Sequence, residues 1–153
     1  MGLGVGQLKL RIGFTGTQNG MTHRQMRAVR LCIQEIVASS GNIPWELHHG
    51  DCVGADAQAH HIGQELGARI IIHPPIKSDL QANCTGAYIT FPPQEYLVRN
   101  RDIVKWTQLL IAATQHDLEV LRSGTWSTIR CARRFKRSVI IVYPDGRVVE
   151  DML

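Results

Sequence analysis

Long apolar runs are missing from this 153-residue chain. None approaches the roughly 18 residues that a membrane-spanning helix needs, and no signal peptide is visible. Met1-Gly2 lacks a Ser or Thr at position 6, so the myristoylation pattern fails as well. These absences make a cytoplasmic protein with no membrane partner the expectation. The four cysteines, Cys32, Cys52, Cys84 and Cys131, are widely spaced and form no C-x-x-C pair. They read as reduced thiols rather than a disulfide frame or a zinc site. No lysine stands in the Walker position after a glycine turn, which disfavours P-loop hydrolysis of nucleoside triphosphates. Aromatic residues make up only 6%, without an evident exposed run on which bases could stack. Repeats, low-complexity segments and dividing linkers are absent too, which predicts a single domain over residues 1–153.

What is present is the ordinary material of one globular core, 44% hydrophobic and 20% charged. The net charge of +4, with seven histidines besides, leans the surface basic and suits phosphate-bearing partners. Leu8–Phe14 alternates apolar and polar residues and runs into Thr15-Gly16-Thr17, the pattern of a strand and its turn. Thr22 and Gln25 have the form of a capping box, after which Met26, Val29, Ile33, Ile36 and Val37 recur at helical spacing. Trp45–His48 reads as a second strand, followed by the His49-Gly50-Asp51 turn and a helix with Ala55, Ala59, Ile62 and Leu66 on one face. Arg69–His73 is a third strand, stopped by Pro74-Pro75. From Ile76 to Pro93 the pattern disappears, and we expect a loop that covers the site as a flap. Tyr96–Thr107 reads as a helix with Leu97, Ile103, Val104 and Trp106 as its apolar members. Leu109–Ala113 and Ser138–Val142 are the fourth and fifth strands, with a helix over Trp126–Phe135 between them. Arg147–Glu150, after the Pro144-Asp145-Gly146 turn, is a candidate C-terminal edge strand. Strands alternating with helices call for an α/β fold, a mainly parallel five-stranded sheet with helices on both faces.

Ligands of such sheets bind outside the carboxyl ends of the strands. That rule brings Thr15-Gly16-Thr17, Gly50-Asp51 and Arg122-Ser123-Gly124-Thr125 to one rim. Small hydroxyl residues and a glycine at the start of a helix present free amides and the positive end of the dipole, the requirement for holding phosphate. Gly16 would let backbone approach the ligand closely, whereas Gly4-x-Gly6 lies before the first strand, where no dinucleotide fingerprint belongs. Arg99 and Arg101 are two apart and point about 200° apart on a helix, so one of them would clamp a phosphate and the other would pair elsewhere. Asp51 or Asp56 would accept ribose hydroxyls.

Three stretches carry a resemblance: Tyr96-Leu97-Val98-Arg99-Asn100-Arg101-Asp102-Ile103-Val104, Arg122-Ser123-Gly124-Thr125-Trp126, and Val139-Ile140-Ile141-Val142-Tyr143-Pro144-Asp145-Gly146. Together with Thr15-Gly16-Thr17 and His49-Gly50-Asp51…Gly54-Ala55-Asp56, their order resembles the SLOG superfamily over nearly the whole chain. That group takes in the LONELY GUY (LOG) phosphoribohydrolases, formerly called lysine decarboxylases, DNA-processing protein A and molybdenum-cofactor carrier proteins. The resemblance implies a Rossmann-like three-layer fold and a nucleotide or nucleotide-derived ligand, such as a nucleoside monophosphate or an ADP-ribose-like molecule. It also implies a homodimer as the common assembly, and no required cofactor. The ligand set it implies takes in Thr15, Gly16, Thr17, Gly50, Asp51, Asp56, Arg99, Asn100, Arg101, Arg122, Ser123, Gly124 and Thr125. One departure matters. The phosphoribohydrolases carry glutamates just after the turn for glycosidic cleavage, and here those positions hold Ser127 and Thr128, which cannot act as carboxylate acid or base. Glu119, Asp51 and Arg99 are the remaining catalytic candidates.

Two other readings compete. Arg130, Arg133, Arg134 and Arg137 recur at helical spacing beside Lys136, a basic stripe that single-stranded DNA would suit, as the resemblance to DNA-processing protein A allows. His48-His49-x-Asp51 and His60-His61 invite a metal, but adjacent histidines point in different directions and neither pair chelates as a unit, so no metal is expected.

Overall fold

The computed structural model describes residues 9–76 and 78–151. Met1-Gly2, Gly4-x-Gly6 and Leu8 lie outside them. Hydrophobic alternation decides the architecture. In β5 (Leu109–Ala113), Ile111 and Ala113 pack to one side while Leu110 and Ala112 pack to the other. In β6 (Ser138–Val142), Ile140 and Val142 divide from Val139 and Ile141 in the same way. Strands buried on both faces need helices on both, and the chain supplies them. On one face, α1 (His23–Ser39) brings Val29 and Ile33 over β5 and β6, and α2 (Ala55–Glu65) brings Ala59 and Ile62 onto β1 (Leu10–Gly16), β2 (Trp45–His49) and β3 (Arg69–Ile72). On the other, α3 (Tyr96–Trp106) and α4 (Gly124–Arg134) cover β5 and β6 with Ile103, Val104, Trp126 and Ile129.

The sheet has seven strands rather than five, in the order β4-β3-β2-β1-β5-β6-β7. All pairs are parallel except β6 with β7 (Val148–Asp151), which returns antiparallel after the Pro144-Asp145-Gly146 turn. The other addition is β4 (Ile89–Thr90), which pairs with Ile71 and Ile72 inside the stretch expected to be loop. Its signal is too short for periodicity to register, and backbone bonds from Tyr88 N to Ile70 O (2.8 Å) and Phe91 N to Ile72 O (2.9 Å) define it instead. The strand order reverses between β1 and β5, which puts the crevice there.

Two expectations about the helices shift. The helix α4 begins at Gly124, capped by the Ser123 hydroxyl accepting from Trp126 N, so the glycine lies inside its first turn. In α3, Leu97 (68%) and Trp106 (50%) are exposed while Arg99 and Asn100 are buried beside Ile103 and Val104, so half of the polar cluster shares the inward face with half of the apolar set. The Thr22–Gln25 capping box is present, and Gln25 does more than cap. Its buried amide donates to the carbonyls of Thr114 (2.7 Å) and Val142 (3.0 Å), tying α1 to the ends of β5 and β6. Gln25→Ala leaves the Thr114 carbonyl and the Thr22 amide without partners and takes one of two donors from the Val142 carbonyl, and we expect a loss of about 2–4 kcal/mol in urea unfolding. Thr22→Ala, which removes the cap and the hydroxyl's bond to the Pro144 carbonyl (2.6 Å), should cost about 1–2 kcal/mol.

Candidate functional site

The crevice opens onto a cavity of about 310 Å³ between the β1 turn, the loop after β5 and the start of α4. Gly16, Thr17, Arg122, Ser123, Gly124 and Thr125 line it, as the sequence motifs place them. Tyr96, Gln115 and His116 line it too. The last two directly follow Thr114 at the end of β5, and the carboxyl-end rule picks them out once that loop is read from its first residue. Among the described residues, no carboxylate lines this cavity.

At its floor the Ser123 hydroxyl takes the Trp126 amide and the Ser123 carbonyl takes the Ser127 amide at 2.8 Å. Among the described residues the amides of Gly124 and Thr125 find no acceptor, as befits the first turn of a helix. The Tyr96 hydroxyl lies against Gly124 so closely that a Cβ there would collide with it. The β1 turn has a different task. Thr17 N donates to Ala113 O (3.0 Å) and Thr17 O accepts from Ala55 N (3.0 Å), so its amide is occupied and it shapes the wall. Behind it, Gly54 (φ +87) caps α2, where a side chain would strike the carbonyls of Thr17 and Gln18.

Arg99 and Arg101 part company, as their spacing requires. Arg99 is buried, with Nη1 donating to the carbonyls of Gly50 and His73 and Nε to Asn100 Oδ1, under the Tyr96 ring. Arg101 is exposed and lines a separate groove with Leu97 and Arg134. Asp56 lies at the start of α2, its Oδ2 accepting from Gly50 N (3.2 Å) and Cys52 N (3.1 Å). It shares a small cavity of about 30 Å³ with Arg99, Asn100, Gly50 and Thr15.

Asp51 does not share that cavity. It adopts φ 58, and its carboxylate accepts from Cys84 N (2.9 Å) and Gln81 Nε2 (3.2 Å). The segment expected to be a flap is therefore held against the sheet edge, and none of its described residues lines the 310 Å³ cavity. Glu119 pairs with Arg130 at 2.8 Å on the outer side of α4. Thr128 turns its hydroxyl back onto Gly124 O (3.0 Å), and neither it nor Ser127 lines the cavity. The basic stripe is partly neutralised: Arg133 pairs with Asp151 (2.8 Å), and Arg137 donates to the carbonyls of Val104, Lys105 and Phe135.

The histidines form two proton-ordered chains. His49 Nδ1 accepts from Asp51 N (2.9 Å), so its Nε2–H donates to His60 Nδ1 (2.9 Å), and His60 Nε2–H donates to Thr85 O (2.7 Å). The Cys84 thiol and one ring nitrogen of each of His49 and His60 lie within 4.8 Å of one another, but the tautomers oppose a metal. His49 would have to bind through the nitrogen that carries its proton, and burial first, then Asp51, pushes the Cys84 thiol up to about 12. On the other face of β2, His48 donates to Glu46 (2.9 Å) and meets His73 at 2.8 Å.

No protein-family model matches the chain, and no curated protein does. Solved structures do. A molybdenum cofactor binding protein from the phototrophic bacterium Rippkaea orientalis aligns over 88% of this chain and 77% of its own, at 22% identity and a TM-score of 0.65. DNA processing protein A from Streptococcus pneumoniae aligns over 86% of this chain and 50% of its own, at 19% identity and a TM-score of 0.64. The structural-genomics target TM1055 aligns over 85% and 72%, at 13% identity and a TM-score of 0.59. The chain shares the α/β fold of these three structures. Likeness at these identities concerns architecture, and function has to be argued from the site.

Burial first, then the neighbouring histidines and Arg99, lowers His49 and His73 from 6.5 to about 3. Their contribution to stability is whole above pH 6.5 and is lost as pH falls toward 3, because the unfolded chain binds those protons first. Asp56 acts oppositely: burial raises it from 3.8 to about 6, so the fold binds its proton first. We expect stability to fall by on the order of 1 kcal/mol as the pH drops from 6 to 5, measured by urea unfolding. Asp56→Asn removes the opposing proton and should roughly double that slope. Equal slopes would contradict the assignment.

Proposed function

We propose that the rim binds the phosphate of a nucleotide or nucleotide derivative at the start of α4. The observation that carries the reading is the pair of unpartnered amides, Gly124 and Thr125, opening onto a cavity that holds Arg122 and His116 and, among the described residues, no carboxylate. Free amides, a helix dipole and a nearby guanidinium favour an anion, and the lack of acidic side chains removes the repulsion that would oppose it. The volume of about 310 Å³ lies at the lower end of small-molecule sites.

The same inventory supports binding rather than glycosidic hydrolysis. Acid–base cleavage needs a carboxylate within hydrogen-bond reach of the scissile bond. Asp51 and Glu119 are committed elsewhere, and Ser127 and Thr128 replace the glutamates. Of the acidic candidates, Asp56 alone lies close behind the rim, where its position suits holding a ligand. The Rippkaea neighbour is named for binding molybdenum cofactor, which keeps small-molecule carriage within this reading.

Titration calorimetry with AMP, ADP-ribose and inorganic phosphate tests it. Gly124→Val forces Tyr96 aside and fills the anion position, so we expect binding to vanish while the thermal transition stays within a few degrees of wild type. Arg122→Ala, at an exposed position, should weaken binding about three- to tenfold at low salt, and less at 0.5 M. Unchanged affinity of the Gly124→Val protein for every ligand would remove this turn from the site.

A further inference from the structure

Asp56 and Asn100 stand on different helices, yet both line the 30 Å³ cavity behind the rim. That cavity shares Gly16, Tyr96 and Thr125 with the larger one, so the two adjoin. Asp56 is 6% exposed and Asn100 7%. Each has one polar atom with a partner and, among the described residues, one without. Asp56 Oδ2 accepts two backbone amides, whereas Oδ1 accepts nothing. Asn100 Oδ1 accepts from Arg99 Nε at 2.8 Å, which fixes the amide orientation and leaves Nδ2 without an acceptor.

A buried polar atom without a partner costs about 1–3 kcal/mol, and native folds keep few of them. Here an acceptor and a donor without partners belong to two residues that line the same cavity. A phosphate or carbonyl oxygen could accept from Asn100 but would be repelled by Asp56. An ammonium could donate to Asp56 but not accept from Asn100. A hydroxyl does both. The space holds one water-sized group and excludes a base or a phosphate. Asp51 lacks this property, since both its oxygens are bound to the 81–84 segment.

We propose that Asp56 and Asn100 together recognise a sugar hydroxyl, so that the site selects a ribose-bearing nucleotide over its deoxy counterparts. The inference rests on the rim being the phosphate site. Phosphate held at Gly124 and Thr125 delivers the sugar toward the adjoining small cavity. Removing the hydroxyl leaves Oδ1 and Nδ2 unmatched, the situation in which a protein rejects an analogue strongly.

The test is calorimetry of the full chain with AMP, 2′-deoxy-AMP, 3′-deoxy-AMP and inorganic phosphate. We expect wild type to bind AMP at least tenfold more tightly than one of the two deoxy forms. Two isosteric variants invert one partner each. Asp56→Asn still offers an oxygen to the Gly50 and Cys52 amides but presents a donor to the cavity. Asn100→Asp still accepts from Arg99 but presents an acceptor. Both should lower AMP affinity to the deoxy level while leaving affinity for the deoxy ligand and for phosphate unchanged, which also reports that the fold is intact. Equal wild-type affinity for all three nucleotides, with binding still lost in Gly124→Val, would overturn the hydroxyl assignment alone. Absence of any nucleotide or phosphate binding would overturn both readings.

Discussion

The amide of Thr17 donates to the Ala113 carbonyl, and the Thr17 carbonyl takes the amide of Ala55; through those two bonds β1, β5 and α2 meet at one residue. The strand order reverses at that seam, and a reversal leaves a gap between helices that cross to opposite faces. Thr17 closes the bottom of the gap so that the rim above it is firm. Gly16 permits the approach, because a Cβ there would sit 2.5 Å from the Ala55 Cβ. The turn whose residue types suggest a phosphate cradle is thus the seam beneath the crevice. The amides that remain open belong to α4, which the same geometry holds across the crevice.

Sequence periodicity served well wherever burial was two-sided. β5 and β6 have the predicted bounds because every residue from Leu110 to Ala113 and from Val139 to Val142 is buried. It failed where polar groups took over the work of packing. Arg99 is buried because backbone carbonyls and Asn100 Oδ1 satisfy it, a circumstance no hydrophobic pattern encodes. Leu97 and Trp106 sit on the same helix and face outward for the same reason. The Ile89–Thr90 strand escaped because two residues carry no period. At the site, the Ser123–Thr125 turn was legible from its residue types. The roles of Asp51 and Asp56 were not, since only the fold shows that one carboxylate is tied on both oxygens and the other on one.

The fold supplies a frame on which scaffold and site are separable. The frame needs the Thr17 seam, the Gly54 cap and the start of α4. Ser127 and Thr128 stand away from the cavity, with Thr128 bonded to its own helix. On the proposed reading the start of α4 grips an anion, and among the described residues no acidic group lines that cavity.

The 81–85 segment offers a different consequence. It is fastened by polar tethers: Asp51 O to Ala82 N at 2.8 Å, the Asp51 carboxylate to Cys84 N, and His60 to Thr85 O. Hydrogen bonds of this kind can be released together without opening the sheet, whereas β2 beneath them cannot move without the core. Amide exchange across the chain should therefore divide at Asp51. Ala82 and Cys84 would exchange through a local opening, and Leu47 and His48 only through global unfolding. The left-handed Asp51 is the point at which a rigid scaffold hands over to a latched loop.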